Sequence, residues 1–136
     1  MNLCDTGPLV AIGNRNDPDH AGCLAAAATL PKGPLLTTWP CFTEAMYLVS
    51  RMGGYPEQVK LWRLRDAGRL ILHDPAPAEV DRMAELMDKY RDLPMDLADA
   101  SVIAAAERLG LGRVFTLDRH FHAYRLADGS ALTVVP

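Results

Sequence analysis

Apolar and polar positions repeat along this chain with two different periods. Five short apolar runs are typical of buried strands, and they occupy residues 1–5, 35–38, 69–73, 113–117 and 132–135. Between these runs, apolar residues recur every three or four positions, as they do on one face of a helix. The predicted helices begin at residue 8 and then occupy 20–30, 39–52, 56–67, 76–90 and 94–109. Residues 119–124, RHFHAY, are predicted to be a short helical or irregular piece.

Three of the predicted helices carry an apolar face that we expect to cover a core. Its members are Phe42, Ala45, Met46 and Val49 in the helix 39–52, Val59, Leu61, Trp62 and Leu64 in 56–67, and Val80, Met83, Ala84 and Met87 in 76–90. Strands that alternate with helices, and that are too short and apolar to be half-exposed, favour a parallel sheet covered on both faces. The prediction is one α/β domain over residues 1–136: a three-layer α/β/α sandwich whose mainly parallel central sheet has four to five strands.

The helix 94–109 differs from the others because it is apolar almost throughout and begins with two carboxylates. Asp96 and Asp99 lie three residues apart, so they project from one face of the helix, about 60° apart around its axis. The small apolar residues that follow allow the helix to pack closely on a sheet. Its first turn, with both acids, is then expected at the edge of that sheet.

Further acids are predicted to reach the same edge. Asp5 ends the first strand, Asp118 follows the fourth, and Glu44 lies in the helix after the second. In an open parallel sheet, ligands bind beyond the carboxyl ends of the strands. Carboxylates that gather there repel one another unless a cation neutralises them, and an all-oxygen set suits Mg²⁺ or Mn²⁺. Thr6 and Thr116 adjoin two of the acids and are candidates to orient a carboxylate or a water.

Each of these residues also has a structural interpretation. Asp5 is equally suited to a turn before a helix, and Asp96 to an N-cap with Asp99 as its capping-box partner. Asp118 fits the end of a strand, Glu44 a solvated helix position, and Thr116 the β-propensity of threonine alone. The pair His120 and His122 forms an H-x-H that binds a metal only if both rings face one site.

The net charge of −3 argues against broad, unspecific binding to nucleic acid but leaves room for a local basic rim. Candidates for phosphate contacts, each also suited to a solvated surface, are Arg51, Arg63, Arg65, Arg69, Arg119 and Arg125. Cys4, Cys23 and Cys41 lack the spacing of a zinc site or a disulfide framework, so reduced thiols are expected. Without a signal-peptide pattern or an apolar run long enough to span a membrane, the prediction is a cytoplasmic location.

Four stretches, MNLCDTGPLVA, TEAMYLVSR, MDLADASVIAAAERLG and RVFTLDRHF, resemble in order and spacing the motifs of PIN-domain ribonucleases, especially the VapC-type toxins of toxin–antitoxin pairs. The resemblance covers almost the whole chain and implies a PIN-like fold. It assigns the four core acids of that family to Asp5, Glu44, Asp99 and Asp118. Asp96 matches an additional acid found in some members, so its direct role is less certain.

The resemblance also implies a function. It implies an endoribonuclease that uses Mg²⁺ or Mn²⁺ on single-stranded or loop RNA, with Asp5, Asp99 and Asp118 as metal ligands and Asp96 as a further one. Thr6 and Thr116 match hydroxyl positions that accompany the acids, and Arg119 and Arg51 become the leading candidates for RNA contacts. A homodimer and a cognate antitoxin that covers the acidic pocket are implied as partners.

Other classes fit the residues less well. A phosphorelay receiver domain pairs two acids after its first strand and has a lysine after its last strands, whereas Lys32, Lys60 and Lys89 all come earlier. A haloacid-dehalogenase-like phosphatase has D-x-D where this chain has Asp5-Thr6-Gly7. A PIN-domain module that acts in RNA processing, or that binds RNA or a partner without cleavage, stays open as the alternative.

Overall fold

The computed structural model describes all residues from Met1 to Pro136. Five strands alternate with six α-helices and one 3₁₀ helix. In chain order the elements are β1 Asn2–Cys4, α1 Thr6–Gly13, α2 His20–Thr29, β2 Leu35–Thr38, α3 Trp39–Gly53, α4 Tyr55–Asp66, β3 Leu70–His73, α5 Pro77–Lys89, α6 Leu97–Leu109, β4 Arg113–Phe115, the 3₁₀ helix Arg119–His122 and β5 Thr133–Val135. None of the α-helices combines the length and apolar character that a membrane span requires.

The sheet is parallel throughout, in the order β3-β2-β1-β4-β5. The chain starts at the centre with β1, builds outward through β2 and β3, and then returns to the other side of β1 for β4 and β5. The direction of winding therefore reverses between β1 and β4, and the carboxyl ends of these two strands border the crevice where such sheets bind ligands.

Two apolar cores lie on opposite faces of the sheet. Leu3, Leu36 and Val114 stand in register on neighbouring strands and face α5 and α6. Their neighbours Cys4 and Phe115 point to the other face, against α1, α2, α3 and α4. Because successive strand residues alternate between the two faces, short apolar runs supply both cores. The predicted three-layer α/β/α sandwich is confirmed.

Helix α6 is buried over nine successive residues, from Ala98 to Ala106. Its alanines let it lie close to β1 and β2, and the hydroxyl of Ser101 is 2.6 Å from that of Thr38, where α3 begins. Gly110 ends the helix in the left-handed conformation, with φ of 65°. This packing fixes the start of α6 at the carboxyl edge of the sheet.

The buried face of α5 differs from the prediction. Val80 is 52% exposed and Ala84 is also exposed, whereas Glu79, Met83 and Leu86 are buried. Glu79 takes the inward position because its carboxylate bonds the ring of His73 at 2.7 Å and the backbone N–H of Ala76 at 3.1 Å. A buried carboxylate with two partners thus sets the rotation of the helix about its axis.

Two smaller predictions were also wrong. Trp62 of α4 is 41% exposed, because it meets the core only through an edge contact with Phe42, at a ring separation of 5.1 Å. Helix α6 begins at Leu97 rather than residue 94, because Asp96 has extended backbone angles and serves as its N-cap.

Candidate active site

An open cavity of about 290 Å³ lies at the carboxyl edge of the sheet. Five of its eight lining residues are acids; the whole lining is Asp5, Thr6, Gly7, Glu44, Asp96, Asp99, Leu117 and Asp118. The structure therefore brings together all five acids singled out in the sequence, although they come from four separate parts of the chain. No lysine or arginine lines the cavity.

A larger cavity of about 460 Å³ lies at the opposite edge of the sheet and is of a different kind. Half of its 14 lining residues are hydrophobic, Lys32 and Arg69 are the charged ones, and no carboxylate lines it. It holds no group that activates water or binds a hard cation, so the acidic cavity is the candidate active site.

Asp5 directly follows β1 and is only 6% exposed. Its Oδ2 accepts a hydrogen bond from the hydroxyl of Thr116 at 2.7 Å, and its Oδ1 accepts a weak one from the thiol of Cys41 at 3.5 Å. Its side chain makes no capping bond to α1, although it precedes that helix. Burial raises the pKa of Asp5, while the bond from Thr116 opposes the rise.

The two threonines contact acids directly, which β-propensity alone does not explain. Besides donating to Asp5, Thr116 Oγ1 accepts from the backbone N–H of Asp118 at 3.0 Å, so it ties the end of β1 to the turn after β4. Thr6 donates to Oε2 of Glu44 at 3.1 Å. Burial and the nearby charges of Asp96 and Asp5 raise the pKa of Glu44.

Asp96 and Asp99 form a capping box at the start of α6. Oδ1 of Asp96 accepts from the N–H of Asp99 at 2.8 Å, and Oδ2 of Asp99 lies 3.3 Å from the N–H of Asp96. Asp99 is buried, and this burial together with the charges of Asp96 and Asp5 raises its pKa to about 7. Asp96 and Asp99 therefore both cap helix α6 and line the cavity.

Asp118 begins the 3₁₀ helix and accepts from the N–H of His120 at 2.9 Å, with the ring Nδ1 of His120 at 3.1 Å. His120 and His122 do not form a paired metal site, since no three His, Cys, Asp or Glu side chains are placed as a ready-made ligand group. Arg119 adjoins Asp118 but does not line the cavity. Arg51 lies two turns beyond Glu44 and stacks on the ring of Tyr47 at 5.8 Å.

The donor set of the cavity fits Mg²⁺ or Mn²⁺, because every side-chain donor that lines it is an oxygen. No three of these acids stand as a closed ligand group, and Mg²⁺ usually keeps several waters, through which it can reach carboxylates that do not touch it directly. Burial is the main cause of the raised pKa values of Asp5, Glu44 and Asp99, and the charges of neighbouring acids add to it, so a cation would offset both.

Two contacts to the acids were missed in the sequence. The thiol of Cys41 reaches Asp5, and the hydroxyl of Tyr124 lies 3.3 Å from Oδ2 of Asp99. Cys41 precedes Glu44 by three residues on α3, so helical spacing alone places both on one side of that helix. Nothing in the sequence points to Tyr124, because its contact depends on how the segment after β4 folds back.

Comparisons with known proteins identify the family of the chain. The sequence profile of the PIN domain family matches residues 3–126. Ribonuclease VapC26 of Mycobacterium tuberculosis is 30% identical in an alignment 138 residues long, which covers 98% of this chain and 99% of that protein.

Solved structures share the fold at lower identity. The crystal structure of VapC20 from Mycobacterium tuberculosis, described as a sarcin-ricin loop cleaving toxin, superposes with a TM-score of 0.82 at 20% identity, over 90% of this chain and 94% of that one. VapBC2 from Rickettsia felis, solved with a DNA fragment from its promoter, gives a TM-score of 0.66 at 16% identity, over 98% and 96% of the two chains. On the family match and the identity to VapC26, this chain belongs to the PIN-domain family, among its VapC-type ribonucleases.

Proposed function

We propose that this chain is an endoribonuclease that needs Mg²⁺ or Mn²⁺ to hydrolyse RNA phosphodiester bonds, with Asp5, Glu44, Asp99 and Asp118 as its catalytic acids. One observation carries the proposal: five carboxylates line one open cavity that contains no basic side chain. Repulsion between the carboxylates of such a cluster destabilises the fold unless a cation is bound there. A bound cation also attracts the phosphate that the bare acids would repel.

Asp5, Asp99 and Asp118 would hold the ion, with Asp96 as a further ligand through Oδ2, which has no partner within the chain. When bound, the ion would orient a water for in-line attack and stabilise the charge that develops on the phosphate. Thr116 keeps Asp5 and the Asp118 turn in fixed relative positions. We expect these fixed positions to matter because small displacements of catalytic groups lower the reaction rate.

Glu44 is the acid best placed to take a proton from the attacking water. It is the exposed carboxylate of α3, and Thr6 holds one of its oxygens, Oε2, at 3.1 Å. Burial and the charges of Asp96 and Asp5 raise its pKa, which makes the carboxylate a stronger base. As the new P–O bond forms, a bridging P–O bond of the RNA breaks.

The substrate class we propose is single-stranded or loop RNA. The cavity is open rather than deep, so a flexible phosphate backbone reaches it more readily than a regular duplex does. Arg119 and Arg51 are both exposed, and we propose them as phosphate contacts.

We further propose that the protein is a toxin with a cognate antitoxin, that it forms a homodimer and that it acts in the cytoplasm. A toxin–antitoxin complex from Klebsiella pneumoniae has a similar fold, with a TM-score of 0.64 at 19% identity over 87% of each chain, and this similarity supports an antitoxin partner. The exposed apolar side chains of Tyr47, Met52 and Tyr55 offer a surface for association. Three free, buried thiols fit a reducing compartment.

The test is cleavage of a panel of structured RNAs by antitoxin-free protein, with Mg²⁺ or Mn²⁺ and with EDTA. Asp99→Asn should abolish cleavage, whereas Asp81→Asn, which changes an exposed acid on α5, should leave it intact. Cleavage that persists in EDTA or in Asp99→Asn contradicts the proposal. If folded protein cuts nothing, calorimetric titration with Mn²⁺ decides the matter: no binding contradicts a metal-dependent nuclease.

A further inference from the structure

Tyr124 is a fully buried tyrosine whose hydroxyl reaches the acidic cavity from behind. The residue is 1% exposed and follows the 3₁₀ helix. Its ring packs against Tyr90 and Phe121, at ring separations of 5.1 and 5.3 Å. Its hydroxyl lies 3.3 Å from Oδ2 of Asp99 and 3.1 Å from the carbonyl oxygen of Pro94.

The two oxygens of Asp99 have different surroundings. Oδ2 lies within reach of two donors, the hydroxyl of Tyr124 and the backbone N–H of Asp96, both at 3.3 Å. Oδ1 has no hydrogen-bond partner in the chain, yet it is not sealed from solvent. One oxygen of the carboxylate is therefore held by the protein, and the other is left for a ligand in the cavity.

The hydroxyl of Tyr124 remains a donor under all ordinary conditions. An ordinary phenol is protonated at neutral pH, so the hydroxyl of Tyr124 has a proton to donate. It has one proton and two acceptors in reach. A carboxylate is the stronger acceptor because a hydrogen bond to a charged group is roughly twice as strong as one to a neutral carbonyl.

We propose that Tyr124 is a positioning residue of the metal site: its hydroxyl holds Oδ2 of Asp99 so that Oδ1 is presented to the cation. The inference rests on the proposed function, since it gives Tyr124 a role only if the acids bind a metal. Groups that hold a metal-ligating carboxylate commonly change metal affinity 10- to 100-fold when they are removed. For Tyr124→Phe we expect Mn²⁺ to bind about 10-fold more weakly.

Tyr90→Phe is a matched control. Tyr90 belongs to the same aromatic cluster, and its hydroxyl accepts from the backbone N–H of Arg125 at 2.8 Å and contacts no acid. Both variants lose one phenolic oxygen and keep the ring. Calorimetric titration with Mn²⁺ should give wild-type affinity for Tyr90→Phe and weaker binding for Tyr124→Phe. RNA cleavage by Tyr124→Phe should fall at limiting Mn²⁺ and recover at saturating Mn²⁺.

Several outcomes would overturn the inference. If wild type and Tyr124→Phe bind Mn²⁺ equally, Tyr124 does not position Asp99, whatever the change in melting temperature; a lower melting temperature with unchanged affinity assigns the hydroxyl to the Pro94 carbonyl. Equal weakening in both variants assigns the effect to a general loosening of the segment after β4, not to the contact with Asp99. If wild type itself binds no Mn²⁺, the proposed function fails and the inference fails with it, so the two failures are distinguishable.

A second measurement does not depend on affinity. In a crystal structure of metal-free Tyr124→Phe, Asp99 should occupy more than one side-chain rotamer, whereas Tyr90→Phe should keep a single one. A single, unchanged Asp99 rotamer in Tyr124→Phe would contradict the inference.

Discussion

Replacing Asp99 by asparagine should stabilise the metal-free protein at pH 8, even though we expect it to abolish cleavage. Asp99 is 8% exposed, and its pKa is raised from 3.8 to about 7 by burial and by the charges of Asp96 and Asp5. Between these two pKa values the folded chain holds a proton that the unfolded chain has lost. The stability of the wild type therefore falls as the pH rises from about 4 to about 7.

The size of the effect follows from that shift. Each pKa unit corresponds to about 1.4 kcal/mol, so ionised Asp99 destabilises the fold by at most about 4 kcal/mol. The cavity opens to solvent, which screens the repulsion, and we expect roughly half of this value. Asparagine keeps one acceptor oxygen for Tyr124 or Asp96, so the substitution itself costs about 0.5–1 kcal/mol. The net gain is about 1–2 kcal/mol, or roughly 5 °C in melting temperature for a chain of this length.

The assay is thermal and urea denaturation in EDTA at pH 8 and at pH 4, with Asp81→Asn as the control for loss of one exposed acid. Asp99→Asn should be the more stable protein at pH 8 and should lose this advantage at pH 4, where wild-type Asp99 is protonated. If Asp99→Asn is less stable than wild type at pH 8, the acids do not repel one another as the geometry requires. A gain that is equal at both pH values would refute the electrostatic cause.

Three further predictions test other parts of the site and fold. Mn²⁺ should raise the melting temperature of the wild type in proportion to the logarithm of its concentration and should not raise that of Asp5→Asn; the two melting curves in a Mn²⁺ series check this. Thr116→Val should lower the rate of RNA cleavage about 10- to 100-fold, because it removes the hydrogen-bond donor to Asp5 and the acceptor for the turn after β4. The control, Thr133→Val at an exposed position of β5, should not change the rate. Glu79→Ala should destabilise the fold by about 2–3 kcal/mol in urea, since it leaves a half-buried histidine without its partner, while the adjacent Val80→Ala should change stability by less than about 0.5 kcal/mol.

The sequence alone was enough to predict that the acids gather at one edge of the sheet, because their placement depends mainly on topology. Strands joined by helical crossovers are parallel, and their carboxyl ends then share one edge of the sheet. Asp5 and Asp118 follow strands, and Asp96 and Asp99 begin the helix that leads to β4, so any parallel arrangement brings them near that edge. Strand limits shifted by only one or two residues, and such shifts do not move the acids away from the cavity.

Features that depend on a particular tertiary contact could not be predicted from the sequence. The apolar periodicity of α5 indicated Val80 and Ala84 as inward residues, but a carboxylate at position 79 with two partners prevailed over the pattern. Tyr124 ends the segment RHFHAY, six residues after Asp118, and no sequence spacing relates it to Asp99. It meets Asp99 only because the chain folds back over α6. Asp96 had two interpretations, and the structure gives it the N-cap position and a place at the cavity together.

Helix starts explain how the fold tolerates so many acids in one place. Asp5, Asp96 and Asp118 directly precede α1, α6 and the 3₁₀ helix, and Glu44 lies in the second turn of α3. The unpaired N–H groups at the start of an α-helix carry partial positive charge, which stabilises a nearby carboxylate by about 0.3–1 kcal/mol. Two such contributions, from α1 and α6, are smaller than the combined cost of burial and repulsion that raises the pKa of Asp99 to about 7. The remaining repulsion is what a divalent cation would remove, so its binding and the stability of the fold should be coupled at this edge of the sheet.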